Sequence, residues 1–180
     1  MKRADRVVVD GRAAPGLGRW LAPARSDARA ALRVLGCAPC ELSLALVDDA
    51  EMRALNRDWR GKDRTTDVLA FAQGEGEGAS PAGLLGDVVV SVPTARRQAE
   101  TRGCDARQEI RTLLVHGILH LLGHDHERSP ADARRMFRLQ REVLEACGAP
   151  PAARSPEAPT RVAPGRIVAA RRVAKPDRKR

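Results

Sequence analysis

Tyrosine is missing altogether from this 180-residue chain, and its aromatic side chains are Trp20, Trp59, Phe71 and Phe137. So small a supply argues against a base-stacking platform of the kind many single-strand binders use. The four cysteines, Cys37, Cys40, Cys104 and Cys147, are too few and too irregular for a secreted disulfide framework, so reduced thiols are expected. Long apolar runs are lacking as well. The first sixteen residues hold nothing more apolar than Val7-Val8-Val9, which leaves neither a signal-peptide core nor a membrane span. A cytoplasmic protein with no membrane association is the expectation.

Acidic residues are in deficit, 23 against 32 Lys and Arg for a formal net charge of +9. A basic excess of this kind points to nucleic acid or another anionic partner. Its location is informative: nine Lys or Arg stand beyond residue 148, from Arg154 to Arg180, against Glu157 and Asp177 alone. The same stretch holds six of the twelve prolines and no sustained apolar periodicity, so it buries too little surface to offset its ordering entropy. The expected organisation is one folded domain over residues 1–148 and a disordered, Pro-rich basic tail over 149–180.

Within the domain the pattern predicts a strand at Arg6–Val9, a helix across Leu17–Leu35, a strand at Glu41–Val47 and a helix from Asp49 to Trp59. Leu42, Leu44 and Leu46 alternate as a half-buried strand should. Val68–Phe71 and Val88–Val92 read as two neighbouring strands, with a flexible Gly74–Gly78 loop between them and Pro93 opening a helix. A further helix begins near Asp105, with Gln108 at capping-box spacing, and stops at Gly123. The last starts at Ser129-Pro130, with Asp132 in capping-box position, and runs to about Cys147. The fold class is therefore α+β, helices packed on a small mixed four-stranded sheet. Cys37-Ala38-Pro39-Cys40 has the spacing of half a zinc site but no second pair to complete it; the alternative is two small residues at a helix-to-strand turn.

All four histidines fall within His116-Gly117-Ile118-Leu119-His120-Leu121-Leu122-Gly123-His124-Asp125-His126. His116 and His120, four apart on a predicted helix, share one face about one turn, roughly 5.4 Å, apart. Gly123 lets the chain turn back so that His126 closes the site from outside the helix. Three neutral imidazoles with a fourth position left to water is the arrangement of a catalytic zinc; a structural zinc would close all four positions with protein ligands. The spacing matches that of metzincin proteases, yet Gly117 stands where those enzymes carry their glutamate base. Met136 lies inside the predicted last helix and reads as core, not as a Met-turn.

The histidine block resembles H-G-x-L-H-L-x-G-Y-D-H, the signature of the YbeY family of bacterial rRNA maturation factors. Leu55–Asp63 followed by Thr66–Phe71, and Leu85–Ser91, are similar to two further blocks of that family, in the family's order. The resemblance spans roughly Val7 to Cys147 and leaves out the tail. It implies one zinc ion held by His116, His120 and His126, and a single-strand-specific endoribonuclease that matures the 3′ end of small-subunit (16S) rRNA on the ribosome and serves ribosome quality control. It also implies catalysis through Arg60 together with the ligand His116. Ala70 and Ala72 depart from the family's Ser and Pro, and His124 from its Tyr, so His124 competes with His126 as third ligand. Arg60 suits a phosphoryl group, which a planar guanidinium meets with two hydrogen bonds; the alternative is a residue offsetting a helix dipole. Asp67, Asp87 and Asp125 are candidates for orienting the imidazoles, or for turn and strand-end roles.

Two rival functions remain on sequence, a zinc peptidase and a non-catalytic ribosome-assembly factor with a structural zinc. The tail generates a prediction of its own. A chain ending at Gly148 should fold and keep its metal but bind RNA more weakly and with a shallower salt dependence, as filter binding across a salt series would read. Unchanged affinity and salt slope would make the tail a solubilising appendage.

Overall fold

The computed structural model describes residues 7–73 and 83–148. Arg6, the Gly74–Gly78 loop and the basic tail lie outside the described residues. Strands β1 (Val7–Ala13), β2 (Cys40–Val47), β3 (Val68–Ala72) and β4 (Leu84–Ser91) form one sheet, with helices α1 (Leu21–Val34), α2 (Asp49–Arg60), α3 (Val92–Arg102), α4 (Ala106–Leu121) and α5 (Pro130–Ala146) around it. The strand order is β1-β2-β4-β3. β1, β2 and β4 run parallel, and β3 returns antiparallel to β4. The mixed α+β sheet expected from the pattern is the fold observed.

Alternation along the strands decides which side chains face which layer. Leu42, Leu44 and Leu46 are fully buried on one face with Val9, Val88 and Val90, beneath α1, α3, α4 and α5. Burying one such side chain is worth about 1.5–3 kcal/mol. Val47, Leu69 and Val89 have the opposite parity and meet Met52 of α2 on the other face. The outer edge of β1 is not bare, because Arg25 and Arg29 of α1 donate to the carbonyl of Val9 at 3.0 and 3.3 Å, which blunts an exposed strand edge.

Boundaries moved where local chemistry was less regular than the apolar pattern. β1 continues to Ala13, and β4 begins at Leu84 instead of Val88. The expected Leu17–Leu35 helix opens with a separate 3₁₀ turn, Gly18–Trp20. Cys37 and Cys40 flank the turn between α1 and β2, and burial pushes both thiols up, away from the thiolate form that binds metals. Ser129 caps α5 as its motif requires, accepting from the Asp132 amide at 3.1 Å and donating to the Asp132 carboxylate at 2.7 Å. Met136 is core, 1% exposed. None of the described helices is long and apolar enough to cross a membrane.

Two glycines permit close approaches, one between neighbouring strands and one between helix and sheet. A Cβ on Gly86 of β4 would stand 2.1 Å from the Phe71 carbonyl oxygen of β3, and the residue's φ of +137° suits glycine alone. Gly117 of α4 faces the sheet, where a Cβ would come within 2.8 Å of Val88 Cγ1 and 3.3 Å of Val68 Cγ2. Both neighbours are stiff, β-branched side chains. Gly117→Ala should therefore lose about 1–2 kcal/mol of stability to overpacking despite gaining about 1 kcal/mol of helix propensity. Adding Val88→Ala should restore part of the loss, and Gly117→Glu should not fold; denaturant unfolding of the set checks this.

Candidate metal centre

The same seat that buries Gly117 leaves His116 and His120 on the rim of α4. Leu113, Leu114, Ile118 and Leu119 turn into the core, so the two histidines share the side that faces α5 and the chain beyond the helix. Gly123, at φ +85°, takes the left-handed conformation that ends the helix, and the His124 amide bonds back to the Leu119 carbonyl at 3.0 Å. That reversal carries His126 over the other two. Ring centroids stand 4.7 Å apart for His116 and His120, 5.0 Å for His116 and His126, and 5.1 Å for His120 and His126.

One nitrogen from each of the three rings falls within 4.8 Å of the others, and among the described residues this is the group able to hold a metal. His124 is not part of it. Nε2 of His116 and Nε2 of His120 are 3.1 Å apart. Two nitrogens each about 2.0–2.1 Å from one tetrahedral zinc stand roughly 3.3 Å apart, so the pair is already spaced for a shared cation. Nδ1 of His126 is buried with no hydrogen-bond partner. The donor set, three imidazoles and no carboxylate or thiolate, fits zinc with one position open.

Electrostatics favour the neutral form of His116 and His120, the state a ligand needs. Burial lowers the pKa of His116, opposed by its bond to Gln140 and reinforced by His126. His120 is pushed down to about 4, by burial first, then by His116 and His126 and, more weakly, by Arg60. Arg60 is thus close enough to the triad for its charge to be felt. It is the last residue of α2, one position further along the helix than expected, and Gly61 follows at φ +66°. Lys62 and Arg64 add to the positive field, with burial first and then Arg60 and Arg64 lowering the Lys62 ammonium against the pull of Glu127.

Buried Asn56 positions this cationic segment. Its side chain donates to the Arg64 carbonyl at 2.7 Å, and its own carbonyl accepts from the Lys62 amide at 3.2 Å. At the other end of α2, Asp49 accepts from Ser91, Thr94 and Arg97 at 2.6, 2.7 and 2.8 Å. Burial alone would raise its carboxyl, but those partners hold it below the usual range.

The three aspartates weighed as imidazole orienters are engaged elsewhere. Asp67 accepts from the Val68 amide at 2.8 Å and from Gln98 at 3.0 Å, reaching His116 only through its charge. Asp87 accepts from Gln73 at 3.2 Å, and Asp125 from the Glu127 amide at 2.9 Å. Sequence reasoning missed two residues on α5. Gln140 bonds to Nδ1 of His116 at 2.9 Å. Phe137, 49% exposed, lies against His116 and His126 with centroids at 6.4 and 5.5 Å. Their signal was the spacing from Met136, which fixes the inner face of the helix.

The geometry separates the four histidines. His116→Ala, His120→Ala and His126→Ala should purify with little zinc, and His124→Ala with close to one equivalent, by elemental analysis of the four proteins. Retention of zinc by His126→Ala together with loss from His124→Ala would reverse the assignment of the third ligand.

Residues 20–148 match the family model described as Endoribonuclease YbeY. An "Endoribonuclease YbeY" of Anaeromyxobacter sp. (strain Fw109-5) is 50% identical over 139 residues, covering 77% of this chain and 71% of its own. That of Persephonella marina is 52% identical over 105 residues, 58% of this chain and 69% of its own. A target protein from Thermotoga maritima, solved in solution, superposes with a TM-score of 0.51 at 25% identity, covering 79% of this chain and 89% of that one. With more than half of its length matched by the family model and half of the aligned positions identical to such a relative, this chain belongs to the YbeY endoribonuclease family.

Proposed function

We propose that this protein is a zinc-dependent endoribonuclease that cuts single-stranded RNA and acts in 3′-end maturation of small-subunit rRNA and in ribosome quality control. Membership of an endoribonuclease family makes it an RNA-cleaving hydrolase. The observation that carries the metal part is the convergence of His116, His120 and His126 within 4.8 Å. A zinc ion held by them would supply Lewis acidity for activating water or a phosphoryl oxygen.

The chain's own contribution is charge and position. Cleaving a phosphodiester loads negative charge onto non-bridging oxygens, and Arg60, whose charge is felt at His120, would offer a planar pair of donors to it. Lys62 and Arg64 extend the positive field along the loop that Asn56 fastens, which favours a grip on the RNA backbone over base readout. The absence of a base at Gly117 is a consequence of packing, since a glutamate there would have to occupy the space of Val88 and Val68. That observation weighs against the peptidase alternative, and a donor set of three histidines weighs against a structural zinc, which would close all four positions with protein ligands.

Incubation of the zinc-loaded protein with matched single-stranded and duplex RNAs, beside His116→Ala, tests the proposal. Internal cuts in the single strand alone, absent from the variant, are expected, and cleavage of unstructured protein in place of RNA would refute it. Arg60→Ala should lower single-turnover cleavage on the order of 10²–10³-fold at saturating RNA, with zinc content and melting temperature unchanged. Arg60→Lys should recover only part, because a point charge does not reproduce the two-pronged donor. A defect that vanished at saturation would instead place Arg60 in ground-state binding.

A further inference from the structure

The two hydrogen-bonding nitrogens of His116 have different neighbours. Nε2 looks toward Nε2 of His120 at 3.1 Å, and Nδ1 meets Oε1 of Gln140 at 2.9 Å. A neutral imidazole has one donor and one acceptor nitrogen, and the bond made by one decides the role of the other. A carbonyl oxygen opposite Nδ1 selects the tautomer with the proton on Nδ1, which leaves the lone pair on Nε2 directed into the cluster. Gln140 is itself held from moving, because Met136 and Val143, four before and three after it on α5, are each 1% exposed and lock that face of the helix into the core.

We propose that Gln140 is a positioning residue of the metal centre, its amide fixing the His116 ring with Nε2 toward the cation while adding no negative charge. Resting on the metal-site reading above, the inference adds the chemical type of the orienting partner. A carboxylate at that place would also fix the ring, but it would raise ligand basicity and pass electron density to the metal. The carboxylate nearest in effect, Asp67, is committed to Val68 and Gln98, so the bond to His116 is left to a neutral amide. A neutral orienter keeps the full charge of the cation available to water and phosphoryl oxygen, where a carboxylate would soften it.

The test uses the full-length protein in three forms, wild type, Gln140→Leu and Gln140→Glu, with zinc affinity measured by competition against a chromogenic chelator. Gln140→Leu should bind zinc about 10–100-fold more weakly, with its melting temperature in the metal-free state unchanged. Gln140→Glu should bind at least as tightly as wild type, while the alkaline-going limb of its cleavage-rate profile moves to higher pH. Imidazole nitrogen NMR of the metal-free proteins should find the His116 proton on Nδ1 in wild type and Gln140→Glu and distributed over both nitrogens in Gln140→Leu. Wild-type affinity in Gln140→Leu, or a wild-type proton on Nε2, would overturn the role of Gln140 alone. Failure of wild type to take up zinc would overturn the triad reading and this inference with it.

Discussion

Close contact between α4 and the sheet is the constraint on which the rest of this structure depends. The helix runs over β3 and β4 with Gly117 against Val88 and Val68, at a separation that leaves no room for a side chain. Any residue larger than glycine would lift the helix or rotate it. Either change would move His116 and His120, one residue before and three after the contact, relative to everything that meets them. The hydrophobic side of the same helix, with Ile118 and Leu119 fully buried, supplies the packing energy that holds it down. Site geometry is thus a by-product of core packing, and the tolerance of a metal centre for misplacement is small.

Placing three imidazoles so near one another works against stability in the absence of a cation. Burial and mutual proximity both disfavour a proton on His116 and His120, and the charge of Arg60 acts in the same direction on His120. The neutral imidazole is thus the favoured form of His116 and His120, with lone pairs available to a cation. An ion that binds only the folded chain returns stability by mass action, so the unfavourable clustering and the affinity for a metal are two aspects of one arrangement. The glutamine on His116 fits that logic, since it restrains a ring without introducing a charge that would have to be neutralised elsewhere.

The cationic side of the site is built on different foundations. Arg60 ends α2, and Lys62 and Arg64 sit on the turn that follows it, where side chains ordinarily have freedom. Here Asn56 ties the turn through the Arg64 carbonyl and the Lys62 amide, while Asp49 fastens the start of α2 to Ser91, Thr94 and Arg97. Three positive charges are thereby gathered although like charges repel, and the charge of Arg60 is felt at His120.

Much of this was legible in the sequence because it rests on local periodicity. The 2-residue alternation of Leu42, Leu44 and Leu46, the i, i+4 spacing of His116 and His120, the glycine after Leu122 and the caps at Ser129 and Asp105 are each decided by a few neighbouring residues, and each stands in the structure where its pattern put it. Strand ends were less legible: β1 and β4 extend past their apolar runs because ladder pairing with β2 continues through Gly11, Arg12 and Gly86. The choice of His126 over His124 leaned on an expected chain reversal and on the family resemblance, and the partner of His116 was beyond reach. The first depends on how the chain turns after Gly123. The second depends on α5 crossing α4 so that Gln140 meets a ring 24 residues away. Short-range pattern fixed which residues were available as ligands; only the packing of α5 on α4 decided which side chain meets His116 from outside the cluster, because a hydrogen bond between elements is a property of their relative placement and leaves no periodic trace in the chain.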